Sequence, residues 1–339
     1  MERISSDALS QYISSRFPGS RISGFQFLVS GFESDVYAFN LHAAPGRQSA
    51  FILRLYPGKG ADEKLLREAK GLSLLQRAGY PVPGLLVQET DPAILGKPFT
   101  IIDKLEGEAL WPILAAAEPS QAALLLERFG KLIYQLHQLD WRPFLDHPEQ
   151  IDLNPDLLLD EVLAFYRRLY TKYDVEGFLS VVDWLERRKG TIPVQPAVVH
   201  QDFHANNVFV CSDGQPYVLD WTQIAVSDFR LDLCWTLMIM GDFGKPEWAA
   251  HTLQSYAQGL SAPAAHLDYF FVIVYMKLLA STVISLKHSP EELGMRSESI
   301  DSLKSALPKY RELTHRLQAM TGVSLTEVWE ALKRIPTSA

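Results

Sequence analysis

The sequence predicts an α+β fold with two lobes, a strand-rich lobe over residues 1–103 and a mainly helical lobe over residues 104–339. Three observations support this prediction. Short runs rich in β-branched and aromatic residues dominate the first lobe, as is typical of an antiparallel sheet. Apolar residues after residue 118 follow helical spacing instead. A chain of 339 residues with 47% hydrophobic residues can also supply two cores.

The first lobe is predicted to begin with a helix over residues 5–16, which ends at Phe17-Pro18-Gly19. Strands are predicted at 24–29, 36–41, 51–56 and 98–103, with one helix at 61–78. The first two strands flank a turn that contains Ser30, Gly31 and Ser34. These small residues could present backbone N–H groups to phosphate oxygens, and an ordinary hairpin turn is the alternative.

A buried ion pair is predicted between the third strand and the following helix. Alternation in the strand places Phe51, Leu53 and Leu55 on one face and Arg54 on the other. Glu68 lies on the apolar stripe of the helix, where a carboxylate is costly to bury without a partner. Arg54 is the natural partner, because arginine donates bidentately to carboxylates and phosphates. The alternative is an exposed arginine and an unrelated surface glutamate.

The second lobe is predicted to be helical on both sides of one hairpin. Its predicted helices cover residues 119–139, 155–170, 246–259, 262–287, 297–320 and 324–334. Pro308 is expected to interrupt the fifth of these. A capping box formed by Ser324 and Glu327 is expected to open the last.

The most informative stretch is 198–221, with sequence VVHQDFHANNVFVCSDGQPYVLDW. A hairpin centred on Asp213-Gly214 would place Asn207 directly opposite Asp220. Their amide and carboxylate oxygens suit Mg²⁺, which is usually held by one or two protein groups plus substrate phosphates. Asp202 precedes the first strand, where it could accept a proton from an attacking hydroxyl. The set predicts phosphoryl transfer.

These residues resemble the aminoglycoside phosphotransferase family, the small-molecule branch of the protein-kinase-like fold. The family's usual block is close to H-G-D-x-H-x-x-N followed by a hydrophobic-D-W segment. Here it reads HQDFHANN from His200 to Asn207, and then Leu219-Asp220-Trp221. A third segment, SDFRLDL from Ser227, is similar to the family's G-D-P-x-x-D-L. The resemblance extends over about residues 24–240.

The resemblance implies a bilobal kinase fold, with residues 1–103 as the nucleotide-binding lobe and residues 104–339 as the catalytic and acceptor-binding lobe. It also implies a role for each matching residue, and ATP or GTP as phosphoryl donor. Asp202 would be the catalytic base, and Asn207 and Asp220 would hold Mg²⁺. His200 and Asp232 would support the catalytic loop through hydrogen bonds. Arg54, in the position of the family's usual lysine, would bind the nucleotide phosphates with Glu68 as its partner. Further nucleotide contacts would come from the turn residues Ser30, Gly31 and Ser34 and from the hinge residues Asp103 and Leu105.

Two other functions are open at this point. His200, Asp202 and His204 alternate, which on a strand would place three metal-type ligands on one face, as in a metallohydrolase. The second alternative is a pseudokinase that binds nucleotide without turnover, which Arg54 and the glycine-poor turn favour. Retention of Asp202, Asn207 and Asp220 favours catalysis.

Composition restricts the partners. A net charge of −8 argues against nucleic-acid binding. Residues 1–103 carry a net charge of +1 and the remainder −9, so a cationic small-molecule hydroxyl acceptor, such as an aminoglycoside, is favoured. Other alcohols, such as macrolides, choline, homoserine or sugars, are alternatives.

The expected location is the cytoplasm. Two cysteines without C-x-x-C spacing, no N-x-[ST] sequon and no apolar signal core suit a reducing compartment. The most apolar stretch, 269–276, is expected to be too short to cross a membrane. The sequence carries no signal for an oligomeric state.

Overall fold

The computed structural model describes residues 4–30, 34–43, 47–58, 60–288 and 299–333. Within these ranges the strands are β1 (Arg21–Ser30), β2 (Asp35–Ala43), β3 (Arg47–Leu55), β4 (Leu85–Glu89), β5 (Phe99–Asp103), β6 (Gly107–Ala109), β7 (Pro196–Val199), β8 (Val208–Cys211), β9 (Pro216–Val218) and β10 (Ala225–Asp228). The α-helices are α1 (Ser6–Arg16), α2 (Ala61–Arg77), α3 (Pro92–Leu95), α4 (Leu110–Ala116), α5 (Pro119–His137), α6 (Pro148–Leu153), α7 (Leu157–Lys172), α8 (Leu179–Glu186), α9 (Phe229–Met238), α10 (Pro246–Ala257), α11 (Leu267–Lys287), α12 (Ser299–Thr321) and α13 (Thr326–Lys333). The predicted α+β class is confirmed.

The chain forms two compact units, each assembled from two segments. Unit 1 consists of Met1–Ile113 and Asn206–Ile224, and unit 2 of Leu114–Ala205 and Ala225–Ala339. This division differs from the predicted boundary after Asp103. Strand β6 pairs with β8 of the hairpin β8–β9, and all three strands belong to unit 1. The assignment of nucleotide binding to residues 1–103 and of acceptor binding to 104–339 stays a prediction.

The main sheet of unit 1 is antiparallel, with strand order β1-β2-β3-β5-β4. One face is apolar because alternate residues of each strand point the same way, and it buries Phe39, Leu53 and Ile101 in one core. Helix α1 adds Leu9 and Ile13 to that core. The hydroxyl of Ser5 begins this helix by accepting a hydrogen bond from the backbone N–H of Ala8 at 3.2 Å.

A second sheet in unit 1 joins β6, β8 and β9 in that order. Strand β6 pairs antiparallel with β8 and begins at Gly107. A Cβ at Gly107 would lie 2.1 Å from the carbonyl oxygen of Val210, so only glycine permits this close approach of the two strands. The hairpin carrying Asn207 and Asp220 is thereby attached to the segment that follows β5.

Unit 2 is built on a helical core. Helices α7, α8, α9, α11, α12 and α13 contribute buried side chains to it, including Leu163, Phe270, Ile273, Leu313 and Leu317. Strands β7 and β10 pair antiparallel beside these helices. Their pairing places the loop that follows β7 and the helix that follows β10, α9, in the same part of unit 2.

Helix α11 is longer than the apolar stretch singled out in the sequence. By length and composition alone it could cross a membrane, with a mean hydropathy of 1.9 in its most apolar window. The structure buries 67% of that window inside unit 2, where Phe270, Ile273 and Leu279 pack into the core. The stretch 269–276 is the middle of this longer helix, and α11 is packed as a core helix.

Two details at the C-terminal end differ from prediction. Helix α12 runs through Pro308 without interruption. Helix α13 begins at Thr326, and Glu327 does not close a capping box with Ser324. Its carboxylate instead accepts hydrogen bonds from the Lys287 ammonium at 2.6 Å and from the Gly177 backbone N–H at 3.1 Å. Glu327 thus ties α13 to the rest of unit 2.

Candidate active site

The predicted ion pair between Arg54 and Glu68 is present in unit 1. Arg54 Nη1 donates to Glu68 Oε1 at 2.7 Å, and the glutamate is only 3% exposed. Its other oxygen accepts a hydrogen bond from the Tyr56 hydroxyl at 2.5 Å, and that hydroxyl lies 3.2 Å from Thr100 Oγ1. A carboxylate on the apolar stripe of α2 is therefore stabilised by two partners from the sheet.

Arg54 uses each of its three nitrogens. Besides the bond to Glu68, Nε donates to Ser34 Oγ at 2.9 Å and Nη2 donates to Asp220 Oδ1 at 2.9 Å. Burial alone would lower the pKa of Arg54, but the carboxylates of Glu68 and Asp220 outweigh it and raise the pKa. The fork of a guanidinium makes this arrangement possible, since a lysine ammonium has no second nitrogen.

The predicted phosphate turn is described only at its edges. Ser30 is the last residue of β1, and Gly31 lies outside the described residues. Ser34 is 4% exposed, and its hydroxyl oxygen accepts a hydrogen bond from Arg54. The contact of Ser34 with Arg54 was not predicted. A phosphate-binding role for the backbone of this turn stays a prediction.

The register of the hairpin is shifted by one residue from the predicted one. Val208 pairs with Val218 and Val210 with Pro216, and the Cys211 N–H donates to Gln215 O at 2.9 Å. The connection therefore holds three residues and ends at Gly214, whose φ is +80°. Asn207 faces Leu219, whose N–H donates to its carbonyl oxygen at 2.8 Å. The predicted opposition of Asn207 and Asp220 is wrong.

Asp220 is positioned by its own backbone and by Arg54. Its φ of +62° lies in the left-handed region, which is unusual for a residue with a side chain. Thr222 Oγ1 donates to Asp220 Oδ1 at 3.1 Å, the oxygen that also accepts from Arg54. The carboxylate remains 43% exposed. Strain of this kind clusters at functional positions.

The oxygen donors of unit 1 fit magnesium held partly by phosphates. Asp220 offers a carboxylate and Asn207 an amide oxygen, and Mg²⁺ needs few protein ligands when phosphates supply others. Among the residues that the structure describes, no group of three or more His, Cys, Asp or Glu side chains could hold a metal. The donor set thus suits a shared magnesium site and not a cage made by the protein alone.

Asp202 lies in unit 2, in the loop after β7. Its Oδ1 accepts a hydrogen bond from Trp235 Nε1 at 2.9 Å and lies 3.4 Å from His204 Nε2. Burial would raise the pKa of Asp202, but His204, Lys277 and His200 together hold it below its usual value. The carboxylate is therefore ionised at neutral pH, as a proton acceptor requires.

The loop around Asp202 is supported by the two residues predicted for this purpose. Fully buried Asp232 accepts hydrogen bonds from the backbone N–H groups of His200, at 2.6 Å, and Gln201, at 2.5 Å. The Asp202 N–H donates to His200 Nδ1 at 3.3 Å. His137 Nε2 lies 3.5 Å from Asp232 and its Nδ1 lies 2.9 Å from the Tyr256 hydroxyl. The hydrogen bonds predicted for His200 and Asp232 are present.

The metallohydrolase alternative loses its structural basis. It requires His200, Asp202 and His204 to alternate on a strand, but β7 ends at Val199. Gln201 then takes a φ of +67°, which ends the extended alternation. His200 is fully buried, and its Nδ1 accepts a hydrogen bond from the Asp202 backbone N–H. These side chains therefore do not form the expected ligand face.

Of the two predicted hinge residues, Asp103 is the last residue of β5 and Leu105 follows the strand. The Asp103 N–H donates to Gly84 O at 2.8 Å, and Asp103 Oδ2 accepts from the Gly84 N–H at 3.0 Å. The Lys104 N–H donates to Ala50 O at 3.0 Å. These bonds fix the segment that enters Leu105. Adenine binding by Asp103 and Leu105 stays a prediction.

Sequence reasoning missed Trp235 and Lys277. Lys277 Nζ donates to Gln201 O at 2.7 Å and lies 4.2 Å from the centre of the Trp235 ring. One signal could have found it: Lys277 interrupts the apolar sequence of α11, where an ammonium needs a partner. The contact of Trp235 with Asp202 joins residues 33 positions apart, and no local pattern predicts it.

Comparison with known proteins places these features in a family. The model of the phosphotransferase enzyme family matches residues 24–266, which is more than half of the chain. None of the curated proteins matches the sequence.

Similar solved structures show the protein-kinase-like fold. A provisionally assigned aminoglycoside phosphotransferase from Ralstonia eutropha JMP134 is 17% identical with a TM-score of 0.65, covering 99% of this chain and 100% of that one. A streptomycin–ATP complex of APH(2″)-IIa is 17% identical with a TM-score of 0.58, covering 84% and 91%. Choline kinase LicA from Streptococcus pneumoniae is 16% identical with a TM-score of 0.57, covering 92% and 98%. The chain belongs to the phosphotransferase enzyme family and is a small-molecule kinase.

Proposed function

We propose that this kinase transfers the γ-phosphoryl group of ATP or GTP to a hydroxyl group of a cationic, aminoglycoside-like small molecule. The observation that carries the proposal is the guanidinium of Arg54, which binds both Glu68 and Asp220 in unit 1. An arginine fixed by a buried glutamate is placed to bind phosphate oxygens, because its fork matches their geometry.

In unit 1, Arg54 would bind donor phosphates while Glu68 holds its orientation. Ser30, Gly31 and Ser34 would form the turn over the phosphates, and the backbone of Asp103 and Leu105 would bind the base. Asn207 and Asp220 would hold Mg²⁺, which when bound neutralises charge on the phosphates. Similar structures include complexes with ATP and with GDP, which supports a nucleoside triphosphate donor.

In unit 2, Asp202 would act as general base. Its carboxylate takes the proton of the acceptor hydroxyl as the hydroxyl oxygen bonds to the γ-phosphorus. The bond from that phosphorus to the bridging oxygen breaks, and the nucleoside diphosphate leaves with the electron pair. His200 and Asp232 hold the loop that carries Asp202, and so fix the position of the carboxylate.

The acceptor class is proposed from charge. Residues after 103 hold 21 basic and 30 acidic residues, so the field of this part of the chain attracts cations. Solved structures of similar fold bind streptomycin or gentamicin, and another is a choline kinase. Streptomycin, gentamicin and choline are all cationic alcohols. A cytoplasmic location is proposed with this function, and Cys211 and Cys234 are both free thiols.

The test is ADP or GDP release from the magnesium nucleotide over a panel of aminoglycosides, choline, homoserine, macrolides and simple sugars. We expect release that depends on an aminoglycoside or another cationic alcohol and that is lost in Asp202→Asn. Nucleotide binding without release on any acceptor would instead support a nucleotide-binding module. Equal release by wild type and Asp202→Asn would remove Asp202 from the role of base.

A further inference from the structure

The residue before the proposed base has an unfavourable backbone conformation that is held from both sides. Gln201 has a φ of +67°, in the region that glycine adopts more readily. Its N–H donates to Asp232 Oδ1, and its carbonyl oxygen accepts from Lys277 Nζ at 2.7 Å. One partner is an anion and the other a cation. The backbone on each side of Gln201 is therefore fixed by a charged group.

Lys277 also contacts the side chain that binds the base. Its Nζ lies 4.2 Å from the centre of the Trp235 ring, and Trp235 Nε1 donates to Asp202 Oδ1. An ammonium over an indole face is attracted to the ring, most strongly where water is excluded. Trp235 itself is only 8% exposed. Lys277 thus reaches Asp202 by two routes, one through the Gln201 backbone and one through the Trp235 indole.

We propose that Lys277 is a positioning residue for Asp202: its ammonium group holds the left-handed backbone of Gln201 and the indole of Trp235, and through them the carboxylate that accepts the proton. The proposal rests on the proposed function for its kinetic meaning. Its structural content, that Lys277 holds this loop, is independent of the reaction.

The electrostatics of the loop agree with this role. Burial raises the pKa of Asp202, and His204, Lys277 and His200 each lower it, so that the net shift is downward. Burial lowers the pKa of Lys277, and this effect is opposed by Asp202 and Asp232. Removing the ammonium would leave Asp202 with less stabilisation of its charge, so its pKa would rise.

The first test measures the loop directly by hydrogen exchange of peptides covering residues 196–205. In Lys277→Met we expect exchange of the His200 and Gln201 amides to become about tenfold faster, since the cost of a left-handed non-glycine residue is no longer offset. Lys277→Arg should restore slow exchange, because arginine keeps the charge and the donor. The matched control is Lys245→Met, which removes an exposed lysine 5.4 Å from the centre of the Trp248 ring.

A double variant separates positioning from simple loss of charge. Glycine adopts a positive φ without strain, so Lys277→Met should accelerate loop exchange much less in a Gln201→Gly background. An equal acceleration in both backgrounds would overturn the link to Gln201. Unchanged exchange in Lys277→Met with the fold intact would overturn the proposal as a whole.

The second test follows the charge of Asp202 by carboxyl ¹³C NMR, with the signal assigned by its loss in Asp202→Asn. The titration midpoint should move to higher pH in Lys277→Met and return in Lys277→Arg. An unmoved midpoint would contradict the proposal. These two measurements need no acceptor, so their failure can be told apart from failure of the proposed function. If Asp202 were not the base, only the assay of nucleoside diphosphate release would show it.

Discussion

Asp202 and Asp220 are both partly exposed aspartates at sites where the backbone takes a left-handed conformation, yet their partners differ. The side chain of Asp202 is 31% exposed; the neutral indole N–H of Trp235 donates to it at 2.9 Å, and His204 Nε2 lies farther away, at 3.4 Å. The side chain of Asp220 is 43% exposed and pairs with the cation Arg54 at 2.9 Å. The left-handed residue is Gln201 before the first aspartate and Asp220 itself in the second case.

The difference follows the chemistry proposed for each carboxylate. A general base must stay ionised and yet accept a proton, so a strong direct ion pair would work against it. A carboxylate that is to bind a metal cation stays compensated in the metal-free state when an arginine is its partner. The metal can then replace the arginine as the compensating charge. The two environments thus separate proton transfer from charge compensation, and each of the following changes tests that separation.

The largest effect is expected for Asp202→Asn. The amide keeps an oxygen that can accept from Trp235, but it cannot take the proton of the acceptor. Turnover should fall by about 10²–10⁴-fold, the usual contribution of a general base. Nucleotide affinity, measured by isothermal titration calorimetry with Mg²⁺, should be unchanged. A matching loss of affinity would mean that the two aspartates are not functionally separate.

A smaller effect, on binding, is expected for Asp220→Asn. Loss of the carboxylate removes a magnesium ligand, so the gain in nucleotide affinity on adding Mg²⁺ should shrink by about tenfold or more. Thr222→Val is the matched control, because it removes only the hydroxyl that donates to Asp220 Oδ1. Titrations with and without Mg²⁺ decide the outcome. Full retention of the magnesium effect would refute the assignment of Asp220.

Removing the carboxylate of Asp232, which holds the loop that carries Asp202, should lower the stability of the protein. Asp232→Ala leaves the backbone N–H groups of His200 and Gln201 buried without their anionic acceptor. The free energy of unfolding in urea should fall by roughly 2–4 kcal/mol, as expected for hydrogen bonds to a buried charged group. Asp213→Ala, in the exposed hairpin turn, is the control, and we expect it to cost less than about 1 kcal/mol. Equal losses would show that Asp232 is dispensable.

The smallest effect is expected from pH. The pKa of Asp202 lies below its usual value of 3.8, so the base is already ionised well below neutrality. Protonation would remove activity only as pH falls through that lowered pKa. The rate at saturating nucleotide and acceptor should therefore show no Asp202-dependent change between about pH 6 and 8. A limb in that range that disappears in His204→Gln would instead indicate a histidine as proton acceptor.

Local patterns predicted much of the fold and one ion pair of the candidate site. Arg54 and Glu68 were paired correctly because strand alternation and helical spacing each fix the face of one residue. Most helices and the strands β1, β2, β3 and β5 were placed within a few residues. Strands β7 and β10 were missed, since four-residue strands separated by 25 residues carry little periodic signal.

The errors at the site have physical causes. The hairpin was predicted with a two-residue turn, but Ser212 joins the loop and shifts every opposed pair by one. Trp235 and Lys277 act on the catalytic loop across 33 and 76 residues, a separation over which sequence periodicity says nothing. The metal-ligating and base roles of Asn207, Asp220 and Asp202 stay predictions.

The two-segment construction of unit 1 sets the order in which the protein can mature on the ribosome. Strand β6 pairs with β8, so the second sheet of this unit cannot close until residues 206–224 have been synthesised. At about 5–20 residues per second, roughly 6–22 s separate the emergence of Ile113 from that of Ile224. A nascent chain halted between Ile113 and residue 206 holds Arg54 and Glu68 but lacks both Asn207 and Asp220. Such a chain would have the sheet of the enzyme without its proposed metal ligands.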